Sequence, residues 1–145
     1  MDVILRSPLY AIADTVRRSG VRYYRLVQSV CAGGASLLQI RAKGESSREF
    51  LHMASKVKRI CSDHSVTLII NDRLDICLAT NADGVHLGQE DLPIKVARKL
   101  LGDRKVIGIS THDAEQARVA EEEGADYVGF GPLFPTTTKQ TLFVL

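Results

Sequence analysis

The chain has 145 residues, 45% of them hydrophobic and 25% charged, with a formal net charge of +2. That balance suits one soluble globular domain with a real core and excludes disordered and fibrous classes. A charge so near zero gives no electrostatic reason to expect nucleic acid or a membrane surface as partner.

Pro8 to Ala13 reads as a short buried strand ending at Asp14, and Gly20 to Cys31 as a helix stopped by Gly33-Gly34. Leu37 to Ile40 is the next strand, continuing through Arg41, Ala42 and Lys43 to the breaker Gly44. Ser46 and Glu49 have capping-box spacing, so each side chain can satisfy a free amide at the start of a second helix. Phe50, Met53, Ala54, Val57, Ile60 and Cys61 then recur at the spacing of one buried helical face.

Val66 to Ile70 is an unbroken apolar run, as expected of a strand covered on both faces. Leu74 to Leu78 continues as helix and Gly84 to Leu87 as the fourth strand. Pro93 opens a short helix ending near Leu101-Gly102. Val106 to Ile109 is the fifth strand, and Asp113 with Gln116 looks like an N-cap pair for the helix running to Gly124. Tyr127 to Phe130 is the sixth strand, followed by Gly131-Pro132 and the polar run Thr136 to Lys139.

Cys31, Cys61 and Cys77 are odd in number, far apart and without metal-ligand spacing. They read as reduced, mostly buried thiols of a cytoplasmic protein. No apolar run is long enough for a membrane span, and no cationic, apolar leader opens the chain.

Strands alternating with helices at short loop lengths imply parallel β/α units. A faint repeat supports this: Gly34-Ala35, Ala82-Asp83 and Ala125-Asp126 each precede a strand. Polar residues gather after the strands: Gln39, Arg41 and Lys43; Asn71 and Asp72; Gln89 and Asp91; Ser110; then Thr136, Thr138 and Lys139. A (β/α) barrel and a doubly wound sheet both bind ligands beyond strand C-termini, so this polarity fits either fold. No G-x-G-x-x-G follows the first strand, which weakens the dinucleotide-binding version.

Asp72 and Asp91 bring two carboxylates from adjacent strand ends, with the Asn71 amide beside one of them. Such a set suits magnesium, a hard cation that usually sits on one or two carboxylates plus substrate phosphates. The plainer alternative is that Asp72 caps a helix and Asp91 sits in a turn before Pro93. Gln39, Arg41 and Lys43 share one side of an extended segment. There Arg41 offers a planar fork to phosphate oxygens and Lys43 a compact charge, unless the trio is only a solvated edge. His86 alternates with Val85 and Leu87 and reads as a packed or hydrogen-bonded residue. His112 is either a substrate contact or part of a helix start, and His52 and His64 are surface positions.

Taken together, Gln39-Ile40-Arg41-Ala42-Lys43, Ile70-Asn71-Asp72-Arg73, Ala82 to Asp91, Gly108-Ile109-Ser110, and Gly124 to Pro132 through Lys139 resemble the thiamine-phosphate synthase family. The resemblance runs from Leu9 to about Lys139. It implies a TIM barrel that joins a pyrimidine diphosphate to a thiazole phosphate, releasing pyrophosphate with magnesium. It also implies a dissociative mechanism, in which pyrophosphate leaves before the thiazole nitrogen attacks. Gln39, Ile40, Arg41, Ala42, Lys43, Asn71, Ser110 and Lys139 would then hold the pyrimidine diphosphate, with Arg41, Lys43 and Lys139 acting catalytically. Asp72 and Asp91 would carry magnesium, and Thr136, Thr137 and Thr138 would meet the thiazole phosphate. A related thiazole tautomerase, or a non-catalytic remnant that binds ligand or partner chains, are the alternatives; Asp72, Asp91 and Lys139 favour the synthase.

About six of the eight β/α units of a full barrel can be counted, where ~250 residues are typical. An incomplete barrel of six units, spanning residues 1–145 as one domain, is the expectation. Open edges and the apolar tail Leu142 to Leu145 suggest self-association or marginal folding, with low synthase activity.

Overall fold

The computed structural model describes residues 9–15 and 20–133. Within them, six parallel strands alternate with helices. The first half runs β1 Tyr10–Asp14, α1 Val21–Ala32, β2 Leu37–Arg41, α2 Ser47–Asp63, β3 Thr67–Asn71 and α3 Leu74–Thr80. The second runs β4 Gly84–Leu87, α4 Ile94–Leu101, β5 Val106–Thr111, α5 Ala114–Glu122 and β6 Tyr127–Phe130. The strands pair in chain order, β1-β2-β3-β4-β5-β6, each parallel to the next. A doubly wound sheet reverses its order at a switch point; this sheet never does. It is an incomplete TIM-type barrel, six units curled into a half-barrel. Thr136 to Lys139 and the tail Leu142 to Leu145 lie outside the described residues.

The helices begin where the sequence signals place them. Ser46 Oγ accepts the Glu49 amide, and the Glu49 carboxylate accepts the Ser46 amide, closing the box that starts α2. Asp113 accepts the Gln116 amide at 2.7 Å to start α5. Phe50, Met53, Ala54, Val57 and Cys61 form the buried face of α2. The three cysteines are buried and unbridged. Among the described residues, no helix is long and apolar enough to cross a membrane.

Side chains of a strand alternate between its two faces, and that alternation divides the chemistry. Leu38 and Ile40, Leu68 and Ile70, Val85 and Leu87, and Ile107 and Ile109 face the helices in one continuous core. Their neighbours, including Gln39, Arg41, Asn71, His86 and Ser110, face the hollow of the half-barrel.

At the opposite, N-terminal end, the Ala-Asp repeat acquires a physical meaning. The Asp83 carboxylate accepts the Leu68 amide at 2.8 Å and takes Lys58 Nζ at 2.6 and 2.7 Å. The Asp126 carboxylate accepts the Ile107 amide at 2.7 Å and takes Arg98 Nη2 at 2.7 Å. In each case an acid before one strand ties the start of the preceding strand to a cation from an earlier helix. Both acids are about a third exposed, so solvent weakens the ionic part and the amide bond matters more. We expect Asp83→Ala and Asp126→Ala each to lower unfolding free energy by about 1–3 kcal/mol, the cost of an orphaned amide. Urea titration measures it, and a loss within error for both variants would show that the clamps add no stability.

Candidate active site

In-register parallel pairing sets one residue from each strand at one level of the concave face. Asp14 pairs with Arg41, Asn71 with His86, His86 with Gly108, and Gly108 with Tyr127. Arg41 and Asn71 directly follow the paired Ile40 and Ile70. The row borders a cavity of about 320 Å³ whose wall includes Tyr10, Ile12, Gln39, Ser110 and Gly129. Gly108 is the position that makes the row fit. A Cβ there would lie 2.0 Å from Tyr127 Cζ, so the phenol ring occupies the space a side chain would need.

The expected phosphate-binding residues are partly assembled. Arg41 donates through Nη1 to Asp14 at the end of β1. Lys43 Nζ lies 3.8 Å from Asp72 Oδ2 and is largely exposed. Asn71 is buried and hydrogen-bonds the Asp72 side chain. Ser110 Oγ contacts His86 Nε2 at 3.0 Å, and its carbonyl accepts Gln89 Nε2 at 2.7 Å. Ile40 and Ala42 differ from the rest of their motif. Ile40 is fully buried among the helices and Ala42 packs against the same core. Alternation turns both side chains away from the cavity, so only their backbone can meet a ligand. Thr136, Thr137, Thr138 and Lys139 lie outside the described residues.

Asp72 does not cap a helix, because the residue before α3 is Arg73, which makes no side-chain cap bond. Asp72 instead has a left-handed backbone, φ 61, and its amide donates to the His86 carbonyl at 2.8 Å. Asp91 does sit in a turn before Pro93, its carboxylate accepting the Gly88 amide at 2.6 Å. The two acids also meet one another. Burial, and then the negative charge of Asp91, push the Asp72 carboxyl above its ordinary range; Lys43 only partly offsets this. A pair of oxygen donors that repel in a half-buried position fits a hard divalent cation. No cluster of three or more His, Cys, Asp or Glu ligands occurs among the described residues. A cation held here would complete its shell with water and ligand oxygens.

Sequence reasoning missed Asp14, Tyr10 and Tyr127 as parts of this site. Asp14 carried the available signal, a charged residue closing a strand like those at the other strand ends. The tyrosines carried none, because their partners are set by pairing across the sheet. His86 is hydrogen-bonded, as expected, but within the cavity wall. The His112 amide is taken by Gln116 Oε1, while its Nδ1 donates to the Gly131 carbonyl at 2.6 Å.

The acid pair generates a stability prediction. The folded pKa of Asp72 exceeds its ordinary value of 3.8, so the folded state is penalised once that carboxyl ionises. The penalty is absent below the unfolded pKa and complete above the folded one. Asp72→Asn removes it, and Asn tolerates the left-handed backbone. The metal-free variant should therefore melt higher than wild type at neutral pH, with the gain vanishing at acidic pH. A lower melting temperature at neutral pH would contradict the repulsive pair.

The family model described as thiamine monophosphate synthase matches residues 9–144. A thiamine-phosphate synthase of Clostridium novyi (strain NT) is 49% identical over 134 residues, 92% of this chain and 66% of that protein. One from Chlorobium phaeovibrioides (strain DSM 265 / 1930) is 55% identical over 107 residues, 74% of this chain and 51% of that protein. The solved thiamine phosphate pyrophosphorylase from Pyrococcus furiosus superposes with a TM-score of 0.79 at 35% identity, covering 88% of this chain and 61% of that one. The chain thus spans less than two thirds of the length of these relatives, over a segment that includes the polar strand ends of the concave face. It belongs to the thiamine monophosphate synthase family.

Proposed function

We propose that the chain forms the diphosphate-binding part of a thiamine-phosphate synthase, which couples a pyrimidine diphosphate to a thiazole phosphate. The observation that carries this reading is the convergence of Arg41, Lys43, Asn71 and Ser110 on the same strand ends as the Asp72–Asp91 pair. Cations and an acid pair side by side are the complement of a diphosphate with a divalent metal.

In this reaction the C–O bond between the pyrimidine methylene and the diphosphate breaks, and pyrophosphate leaves with the electron pair. A C–N bond to the thiazole nitrogen then forms. Negative charge grows on the departing oxygens, so cations aimed there stabilise the transition state more than the ground state. Arg41 suits that task because Asp14 already fixes its guanidinium, leaving further N–H donors for phosphate. Asn71 keeps the Asp72 carboxylate in place. Lys43 supplies an exposed positive charge; by the family resemblance Lys139 would add a second, and Thr136 to Thr138 would receive the second phosphate. Asp72 and Asp91 would hold magnesium, which when bound neutralises diphosphate charge. No protein nucleophile is required.

Calorimetry with the pyrimidine diphosphate and magnesium tests this directly. Asp72→Asn and Asp91→Asn should each weaken binding at least about tenfold, since each removes a charge from a neutralising cluster. Arg41→Lys should also lose affinity although charge is kept, because the bidentate fork is lost. Unchanged affinity in both acid variants would refute the metal assignment. Release of pyrophosphate on adding both substrates assays the coupling itself.

A further inference from the structure

Five polar side chains of the concave face form one continuous hydrogen-bonded chain. Gln39 Nε2, on β2, donates to the Tyr10 hydroxyl on β1 over 2.7 Å. The Tyr10 and Tyr127 hydroxyls are 2.7 Å apart, linking β1 to β6. The Tyr127 hydroxyl lies 3.0 Å from His86 Nδ1 on β4. His86 Nε2 lies 3.0 Å from Ser110 Oγ on β5. Packing holds the array: Tyr10 and Tyr127 meet edge to face at 5.6 Å, and His86 stacks on Tyr127 at 5.5 Å. Burial raises the pKa of both phenols, which stay neutral and carry one proton each.

Counting protons gives the array a direction. An amide nitrogen only donates. With the one proton of each phenol spent inside the array, the Tyr10 hydroxyl, which accepts from Gln39, donates to Tyr127, and Tyr127 donates to His86 Nδ1. A neutral imidazole with an accepting Nδ1 carries its proton on Nε2, and this donates to Ser110. Ser110 therefore keeps its hydroxyl proton for the cavity. At the other end, Gln39 has engaged its nitrogen, and its carbonyl oxygen remains as an acceptor. Both residues share the cavity wall with Tyr10, Ile12 and Tyr127, a largely apolar and aromatic surface suited to a flat ring.

We propose that Tyr10, Tyr127 and His86 are positioning residues that lock Gln39 as acceptor and Ser110 as donor. The cavity thereby selects a ring with an amino group beside an unprotonated ring nitrogen over the oxo ring of the same shape. The proposal rests on the synthase reading for the diphosphate and adds the basis of ring choice. An oxo ring would set carbonyl against carbonyl and N–H against hydroxyl proton. Pairing it at the Gln39 end requires rotation of that amide, which either breaks the bond to Tyr10 or reverses the array behind it.

Two measurements test the relay. Long-range proton–nitrogen correlation spectra of histidine-labelled protein, above the ordinary histidine pKa of about 6.5, show which ring nitrogen carries the proton. His86→Asn identifies the signal. The expected form is Nε2–H in wild type, giving way to a mixture in Tyr127→Phe, which keeps the ring but cannot donate. An Nδ1–H form in wild type overturns the proposal. Calorimetry with magnesium then compares the aminopyrimidine diphosphate, its oxo counterpart and inorganic pyrophosphate. Wild type should prefer the amino ring at least about tenfold, the mismatch of two polar groups being decisive. Tyr127→Phe and Tyr10→Phe should bring the preference towards parity, with a smaller change in pyrophosphate affinity than in amino-ring affinity. An undiminished preference in both variants overturns the relay. Wild-type protein that takes up no pyrophosphate with magnesium overturns the synthase reading instead, and the His86 tautomer still decides the relay.

Discussion

Parallel, in-register strand pairing is the constraint on which the rest of this molecule depends. It fixes one residue per strand at each level, and alternation then decides which face that residue serves. Leu38, Ile40, Leu68 and Ile70 are committed to the helices by the same geometry that commits Gln39, Arg41 and Asn71 to the hollow. Shifting a strand by one residue would exchange the two sets, burying Arg41 among helices and exposing Ile40. Core and site are thus specified by a single register. The Asp83 and Asp126 clamps act on that register from the far end of the sheet.

The site also shows where stability is given up. Two acids converge without a compensating cation of equal weight, and one of them has a backbone conformation that L-residues with side chains rarely adopt. Asp72 is held there by a bond to the His86 carbonyl, so the end of β3 is fastened to β4. Strain of this kind persists when the surroundings over-determine it. Here the surroundings are β3, buried throughout its length, and the β4 backbone to which its end is fastened.

Much of this was legible in the chain itself. The apolar runs gave all six strands, and the Ser46–Glu49 and Asp113–Gln116 pairs gave two helix starts, because those signals are local. The polar strand ends were legible for the same reason. The Arg41–Asp14 pair was not, since it exists only once β1 lies beside β2. Tyr10 and Tyr127 are 117 residues apart and meet only because the sheet curls. The motif Gln39 to Lys43 looked like one ligand-binding segment, yet Ile40 and Ala42 turn towards the core. The Ala-Asp repeat was visible as a pattern, but its meaning needed the amides of Leu68 and Ile107.

The contact between Gly108 and Tyr127 constrains how such a sequence can change over time. A methyl group at position 108 and a phenol at position 127 claim the same volume. Replacing the glycine first produces a collision in a sheet interior, whereas replacing the tyrosine first leaves only a gap. The two orders of substitution therefore have different intermediates, one overpacked and one underpacked. Drift through this pair is directional: position 127 must shrink before position 108 can grow, and reversal must follow the opposite order. A steric overlap of two side chains thereby becomes a rule of succession for mutations.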